Sequence, residues 1–243
     1  MEIRFALDVY NPAEYYAALG LLELASRQDG DVMSCFETND TTSTSSTFMM
    51  TADKEGVLPD LKLLEVTAQQ FIEPLIAPVN VADLEVNWWT NYYKDAKGSR
   101  KNNRLAFWAG LSCPVDMLKG FQKVMGEMGS AILQHSVKVR AGKSSFGFDT
   151  RASRDALAVG YSQKEADEPS VIYPETEFLC AIGLQNFRPM TNDSYFVWKR
   201  PAPISIAHAA AVAEVAGLRQ SRYTMAVAFV GQGLRAVSQV AKG

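Results

Sequence analysis

Basic residues close to aromatic residues are the strongest chemical signal in this sequence. The stretch FGFDTRASRDALAVGYS occupies residues 146–162. In it, Arg151 lies three residues before Arg154, and Asp149, which can cap a helical turn, lies just before them. Three further cations precede this stretch on an apparent strand: Lys138, Arg140 and Lys143. Side chains two apart on a strand share a face, so this group suits recognition of a phosphate backbone. A salt-bridged surface strand is the other interpretation.

A second basic group lies between tryptophans. The stretch WWTNYYKDAKGSRKNNRLAFW (88–108) begins with Trp88 and Trp89 and encloses a loop rich in glycine, serine and asparagine. That loop holds one acid, Asp95, and five cations: Lys94, Lys97, Arg100, Lys101 and Arg104. Cationic loops beside aromatic rings suit phosphate contact combined with base stacking. The alternative is a solvated loop next to two tryptophans that belong to the core.

The two groups together give the predicted nucleic-acid-binding residues. They are Trp88, Trp89, Lys97, Arg100, Lys101, Arg104, Lys138, Arg140, Lys143, Arg151 and Arg154.

Catalytic signatures are scarce. The chain has two histidines, His135 and His208, and for both a structural role is favoured over general acid–base chemistry. None of the motifs HExxH, GxSxG, GxGxxG or the phosphate-binding P-loop occurs. We therefore predict no catalytic residue, no metal site and no cofactor.

Composition bounds the class of protein. The 243 residues carry a net charge of −3 and are 47% hydrophobic, as in ordinary globular domains. Three widely spaced cysteines form no disulfide framework or zinc motif. No leader and no membrane-length apolar run is evident. We expect a cytoplasmic protein without membrane contact, folded as a single unit over 1–243 or in two parts, 1–80 and 81–243.

The order of predicted elements is mixed α+β. A strand over 3–12 precedes a helix over 12–30, which Asn11 can cap, and two strands follow over 32–40 and 46–53. A helix or helix pair is predicted over 58–78. Alternation on both sides of Gly-Gln-Gly predicts a C-terminal β-hairpin over 222–240. No internal repeat is evident.

Several stretches resemble a known family. They are NPAEYYAALGLLELA at 11–25, NWW at 87–89, FWAG at 107–110, FGFDTR at 146–151, DALAVGYS at 155–162 and YPETEFLCAIGLQNFRP at 173–189. In order and content they resemble the third protein of the Csb series, from CRISPR-Cas systems of subtype I-U, now called I-G. The resemblance spans nearly the whole chain, but the basic insert KDAKGSRKNN replaces a shorter acidic loop.

The resemblance implies a function in antiviral defence. It implies a non-catalytic subunit of a type I CRISPR effector, or Cascade-like, complex that contacts guide RNA, target DNA or both, and neighbouring effector subunits. Analogy with other subunits of such systems also suggests ferredoxin-like strand–helix–strand elements with added helices. The alternatives are a guide-RNA-processing endonuclease using His135 or His208, and a purely structural bridging subunit.

Overall fold

The predicted α+β class is confirmed. The computed structural model describes residues 1–38, 45–68, 77–89, 93–94, 100–101, 105–107, 113–126, 132–139, 145–151, 170–189, 193–229 and 235–243. Within these ranges the chain forms four helices: α1 (Pro12–Gln28), α2 (Pro114–Val124), α3 (Pro174–Phe187) and α4 (Ile204–Val212). None of these described helices is long and apolar enough to cross a membrane.

The strands of the described residues form two larger antiparallel sheets. The first has the order β1-β3-β2-β12, with the strands β1 (Glu2–Asp8), β2 (Met33–Thr38), β3 (Ser45–Thr51) and β12 (Ala202–Pro203). The second has the order β11-β13-β14, with the strands β11 (Ser194–Trp198), β13 (Gln220–Phe229) and β14 (Arg235–Lys242). The predicted C-terminal hairpin is the β13–β14 pair.

Three smaller sheets complete the described strands. They pair β4 (Val66–Ala68) with β5 (Val79–Val81) and β6 (Leu84–Val86), β7 (Tyr93–Lys94) with β8 (Arg100–Lys101), and β9 (Val137–Val139) with β10 (Ser170–Ile172).

The opening strand–helix–strand–strand unit has the predicted split topology. Helix α1 connects the parallel strands β1 and β2, and β3 lies between them, antiparallel to both. This is the first half of a ferredoxin-like arrangement. The fourth strand of the sheet, β12, pairs with β2. In a complete ferredoxin-like sheet the fourth strand would pair with β1, so the likeness is limited to the opening unit.

The helix predicted over 58–78 is wrong for its described part. Residues 58–68 contain no helix, and Val66–Ala68 form β4 instead. Val66 and Thr67 are β-branched, which favours a strand. Antiparallel pairing with Val79–Val81 then buries Val66 against two other valines, and this tertiary contact overrides the helical pattern.

Helix α1 begins as its sequence predicts. The side chain of Asn11 accepts a hydrogen bond from the backbone N–H of Ala13 (3.3 Å), and Pro12 occupies the first turn. All residues from Pro12 to Ala25 are buried. A helix that is buried all round must be surrounded by other elements, and α3, which is buried over most of its length, is its main partner.

Two glycines set the distance between α1 and α3. A Cβ atom on Gly20 would overlap the carbonyl oxygen of Leu179, and one on Gly183 would overlap the carbonyl oxygen of Tyr16. Because glycine lacks a Cβ, it permits the two backbones to approach this closely. The crossing of the two central helices therefore depends on both glycines.

The two helices meet through equivalent residues. The segments EYYAALGL (14–21) and EFLCAIGL (177–184) share glutamate, alanine, glycine and leucine at the same four positions. Tyr16 and Leu179, the residues that face the opposite glycines, also occupy the same position. The chain therefore contains a short internal repeat that the sequence analysis missed.

Tyrosines join the second sheet to helix α1. Tyr15 donates its hydroxyl hydrogen to the carbonyl of Phe196 (2.7 Å), and Tyr195 donates to the carbonyl of Val9 (2.6 Å). The rings of Tyr15 and Tyr195 lie 4.4 Å apart. The buried residues form one hydrophobic cluster that extends from Phe5 to Val237. Both larger sheets thus contribute to the same hydrophobic core as helix α1.

Candidate functional site

Trp88 and Trp89 belong to the core of the protein. Their exposed fractions are 0% and 2%. Their indole N–H groups donate to the carbonyls of Ala181 (2.9 Å) and Ala77 (3.1 Å), and the two rings lie 5.2 Å apart in an edge-to-face arrangement. A ring that is buried in this way cannot stack on a base while the fold is intact. The prediction that these two residues contact nucleic acid is therefore corrected, in favour of the core alternative.

Arg151 lies in a buried polar network. Its Nε and Nη2 donate to the two carboxylate oxygens of Asp149 (3.0 and 2.8 Å). Its Nη1 lies 2.7 Å from Oε1 of Glu14 and donates to the carbonyl of Leu133 (2.8 Å). Nη2 also donates to the hydroxyl of Thr176 (3.3 Å). Each nitrogen of the guanidinium therefore already has protein acceptors.

The surroundings of Arg151 hold it in place. The ring of Tyr173 lies 3.6 Å from its Cζ atom, a cation–π contact. Its side chain is only 20% exposed. Burial opposes the charge, but the hydrogen bond and the charge of Asp149 outweigh burial and raise the pKa of the guanidinium. Phosphate binding by Arg151 would require these internal contacts to break. The contacts that the structure shows for Arg151 are structural ones, and its predicted nucleic-acid role stays a prediction.

Asp149 and Asn11 complete the network. Asp149 accepts from the backbone N–H of Arg151 (2.9 Å), so it does cap the local turn, as its position predicts. The side-chain amide of Asn11 donates to Oε1 of Glu14 (3.1 Å) and to Asp149 (3.0 Å). Burial raises the pKa of Glu14, although Arg151 acts in the opposite direction. The network joins the beginnings of α1 and α3 through the segment at 149–151.

Sequence reasoning missed Glu14 as a partner of Arg151. An acidic residue in the first turn of a helix is already explained by the favourable charge at that end, so the position of Glu14 gave no separate signal. The sequence did contain a usable signal. Glu14 lies in a helix with apolar residues on all sides, and a buried carboxylate needs a cation or hydrogen-bond donors.

The other predicted basic residues are only partly within the described structure. Lys138 is exposed on β9, opposite Val171 of β10. Arg100 and Lys101 form β8, which pairs with β7. The remaining predicted residues lie outside the described ranges: Lys97, Arg104, Arg140, Lys143 and Arg154. Among the residues whose exposure the structure describes, Lys138 of the first basic group is thus placed at the surface.

Both histidines contact buried carboxylates. His135 Nδ1 lies 2.9 Å from Oε1 of Glu175, and 39% of the His135 side chain is exposed. His208 Nε2 lies 3.1 Å from Oε2 of Glu23. Burial acts to raise the pKa of Glu23, but the hydrogen bond from His208 and other partners outweigh it and lower that pKa.

Among the described residues, no group of three or more histidine, cysteine, aspartate or glutamate side chains could hold a metal ion.

No protein-family model, no curated protein and no solved structure matches this chain.

Proposed function

We propose that this protein is a non-catalytic subunit of a type I CRISPR effector complex. In this role it binds guide RNA, target DNA or both, and packs against neighbouring effector subunits in antiviral defence. The proposal rests on the resemblance to the third protein of the Csb series. One structural observation supports it: residues from three separate stretches of the resemblance meet in the network around Arg151.

Stretches of the resemblance that are far apart in the sequence meet in the fold. Asn11 and Glu14 come from the first stretch, Asp149 and Arg151 from FGFDTR, and Thr176 from the stretch that forms α3. The tryptophan pair of a fourth stretch packs on the phenylalanines of FGFDTR, with ring centroids about 6 Å apart. A fold shared with that family would require contacts of this kind between its distant stretches.

The network suits a scaffold rather than a reaction centre. Arg151 pairs with Asp149 and Glu14, and both carboxylates are at least 98% buried. These charges pair with one another, and the network holds α1, α3 and the segment at 149–151 together.

Co-purification is the direct test of the proposed function. A tagged form of the chain, expressed with the products of its neighbouring genes and a repeat–spacer array, should elute as a complex that contains processed guide RNA. Crosslinking should join the chain to RNA or to added target DNA. Elution as an isolated protein would contradict the proposal. Assembly without any crosslink to nucleic acid would favour the purely structural bridge.

A second function, guide-RNA processing, has one observation in its favour. A carboxylate that contacts Nδ1 of a histidine fixes the tautomer and leaves Nε2 to accept a proton. His135 and Glu175 have this arrangement, and the His135 ring is partly exposed. General acid–base cleavage would also need a second group near the scissile phosphate.

We expect that the isolated chain does not cleave repeat RNA, with or without divalent metal ions, because His135 is explained by its contact with a buried glutamate. The measurement is gel analysis of labelled repeat RNA. Cleavage that disappears in His135→Ala and in Glu175→Gln but persists in His208→Ala would establish the endonuclease instead. His208 is the matched control, because it also contacts a buried glutamate.

A further inference from the structure

Cations cluster at one end of the sheet formed by β11, β13 and β14. Lys199, just after β11, donates its backbone N–H to the carbonyls of Leu218 (3.1 Å) and Arg219 (3.3 Å), just before β13. Gly243, just after β14, donates to the carbonyl of Arg222 (3.0 Å). These bonds bring together five cations, which we call the basic end: Lys199, Arg200, Arg219, Arg222 and Lys242.

The basic end is exposed, and the segments that build it contain more cations than acids. Its members are exposed except for Lys199, which is half-buried. The segments that build it, 193–203, 213–224 and 239–243, contain two acids. Asp193 lies at the opposite end of β11, where its carbonyl accepts a hydrogen bond from the backbone N–H of Met225 in the middle of β13. The five cations outnumber these two acids. In a chain with a net charge of −3 this is a local reversal of sign.

The backbone at Arg219 adds to this observation. Its φ angle is 52°, in the left-handed region that favours glycine. An arginine at this position costs conformational free energy that a glycine would avoid, and such residues are concentrated at functional sites.

Phe196 is the partly exposed residue of β11, where the other four residues are buried. Its neighbours Tyr195 and Val197 are buried, whereas Phe196 is partly exposed. Phe196 lies directly opposite Arg222 in the strand register, and paired side chains of antiparallel strands are close neighbours. Arg222 Nη2 donates to the hydroxyl of Ser194 (3.0 Å), on the same face of β11 as Phe196. An arginine and an aromatic ring are therefore presented side by side.

We propose that the basic end and Phe196 form a binding site for single-stranded nucleic acid. The cations would contact successive phosphates, and an unstacked base would lie on the ring of Phe196, with Arg222 beside both. A single aromatic ring on a sheet can reach a base only when that base is outside a duplex. The inference deepens the proposed function and rests on it for the choice of a nucleic acid over another polyanion.

The test uses fluorescently labelled oligouridine and oligothymidine of about 16 nucleotides, within the length that such surfaces cover. Affinity is measured over a series of salt concentrations for the whole chain and for Arg200→Gln with Arg219→Gln. The matched control is Lys119→Gln with Lys123→Gln, which removes two exposed cations from α2 and so lowers the net charge equally. Thermal unfolding of each variant checks the fold.

The double arginine variant should bind at least about tenfold more weakly, and the log–log salt slope should fall by about 1.4, or about 0.7 for each lost phosphate contact. The lysine control should bind like the unaltered chain.

Phe196→Ala should weaken binding by about tenfold through lost stacking. In Phe196→Trp, the introduced tryptophan fluorescence should be quenched by either strand. A preference for oligouridine would indicate guide RNA as the ligand, and a preference for oligothymidine would indicate target DNA.

Equal affinity of the arginine variant and the lysine control would overturn this site. The proposed function would survive that result if the chain still bound the strands, because another surface would then hold them. Binding of neither strand by the unaltered chain would also overturn the site, and co-purification would then decide the proposed function separately. Polyglutamate bound as tightly as oligouridine would identify an acidic protein as the ligand, which also contradicts the inference.

Discussion

Replacing Arg151 with alanine is expected to lower the free energy of unfolding by about 3–5 kcal/mol, the usual cost of removing one partner of a buried ion pair. The replacement would leave the carboxylates of Asp149 and Glu14 without their cation, and both are almost completely buried. It would also remove donors from the carbonyl of Leu133 and the hydroxyl of Thr176. Chemical denaturation followed by circular dichroism measures the loss.

The loss should depend on pH through Glu14. Burial raises the pKa of this carboxyl above its ordinary value of 4.5. A carboxyl whose pKa is raised by folding stabilises the fold at pH values below its unfolded-state pKa. That contribution is lost as the pH rises through the folded-state pKa. Without Arg151 the pKa of Glu14 should rise further. The loss of unfolding free energy in Arg151→Ala should therefore be largest at about neutral pH. It should be smaller at about pH 5, where Glu14 can take up a proton.

Arg4 offers a matched control for Arg151. It also contacts two carboxylates, those of Glu2 and Glu37, but all three side chains are exposed. Arg4→Ala should leave the stability nearly unchanged, because exposed pairs contribute little. Equal effects of Arg151→Ala and Arg4→Ala would contradict a structural role for the network. Loss of nucleic-acid binding in Arg151→Ala without loss of stability would support the predicted nucleic-acid role of this residue.

The elements that local residues determine were predictable from the sequence. Asn11, Pro12 and the apolar run after them predict α1. Alternation on both sides of Gly-Gln-Gly predicts the β13–β14 pair. Each of these signals lies within a few residues, and the structure agrees with them. The strand β4 was mistaken for helix because its partner β5 begins about a dozen residues later, and pairing, not propensity, decides its conformation.

The candidate site was less predictable, because its residues acquire their roles through contacts between distant segments. Arg151 resembled a surface cation until the fold placed Glu14 beside it. The cations of the basic end are spread over residues 199–242, and only the pairing of β11, β13 and β14 brings them together. The repeat shared by α1 and α3 has four identical positions in eight, and its meaning depends on the reciprocal contacts of Gly20 and Gly183.

Replacing Trp88 with alanine is expected to destabilise the fold by about 3–5 kcal/mol, because truncating a fully buried tryptophan leaves a large cavity. Its ring lies 6.1 Å from the rings of both Phe146 and Phe148, and its N–H donates to the carbonyl of Ala181 in α3. Trp88→Phe keeps much of the ring volume but removes the donor, so it should cost about 1–3 kcal/mol. The loss of unfolding free energy in each variant is measured from chemical denaturation curves.

Comparison with Phe196→Ala separates the two kinds of aromatic residue in this chain. Trp88 is fully buried, so its loss should reduce stability, and the fraction that remains folded should bind single strands as before. Phe196 is partly exposed beside Arg222, so its loss should reduce binding and leave the unfolding midpoint much less changed. The decisive measurement is affinity per folded molecule, at a temperature where both variants are folded. If Trp88→Ala lost affinity on that basis while Phe196→Ala did not, the proposed binding site at Phe196 would be wrong. The original prediction that the tryptophan pair contacts nucleic acid would then be favoured.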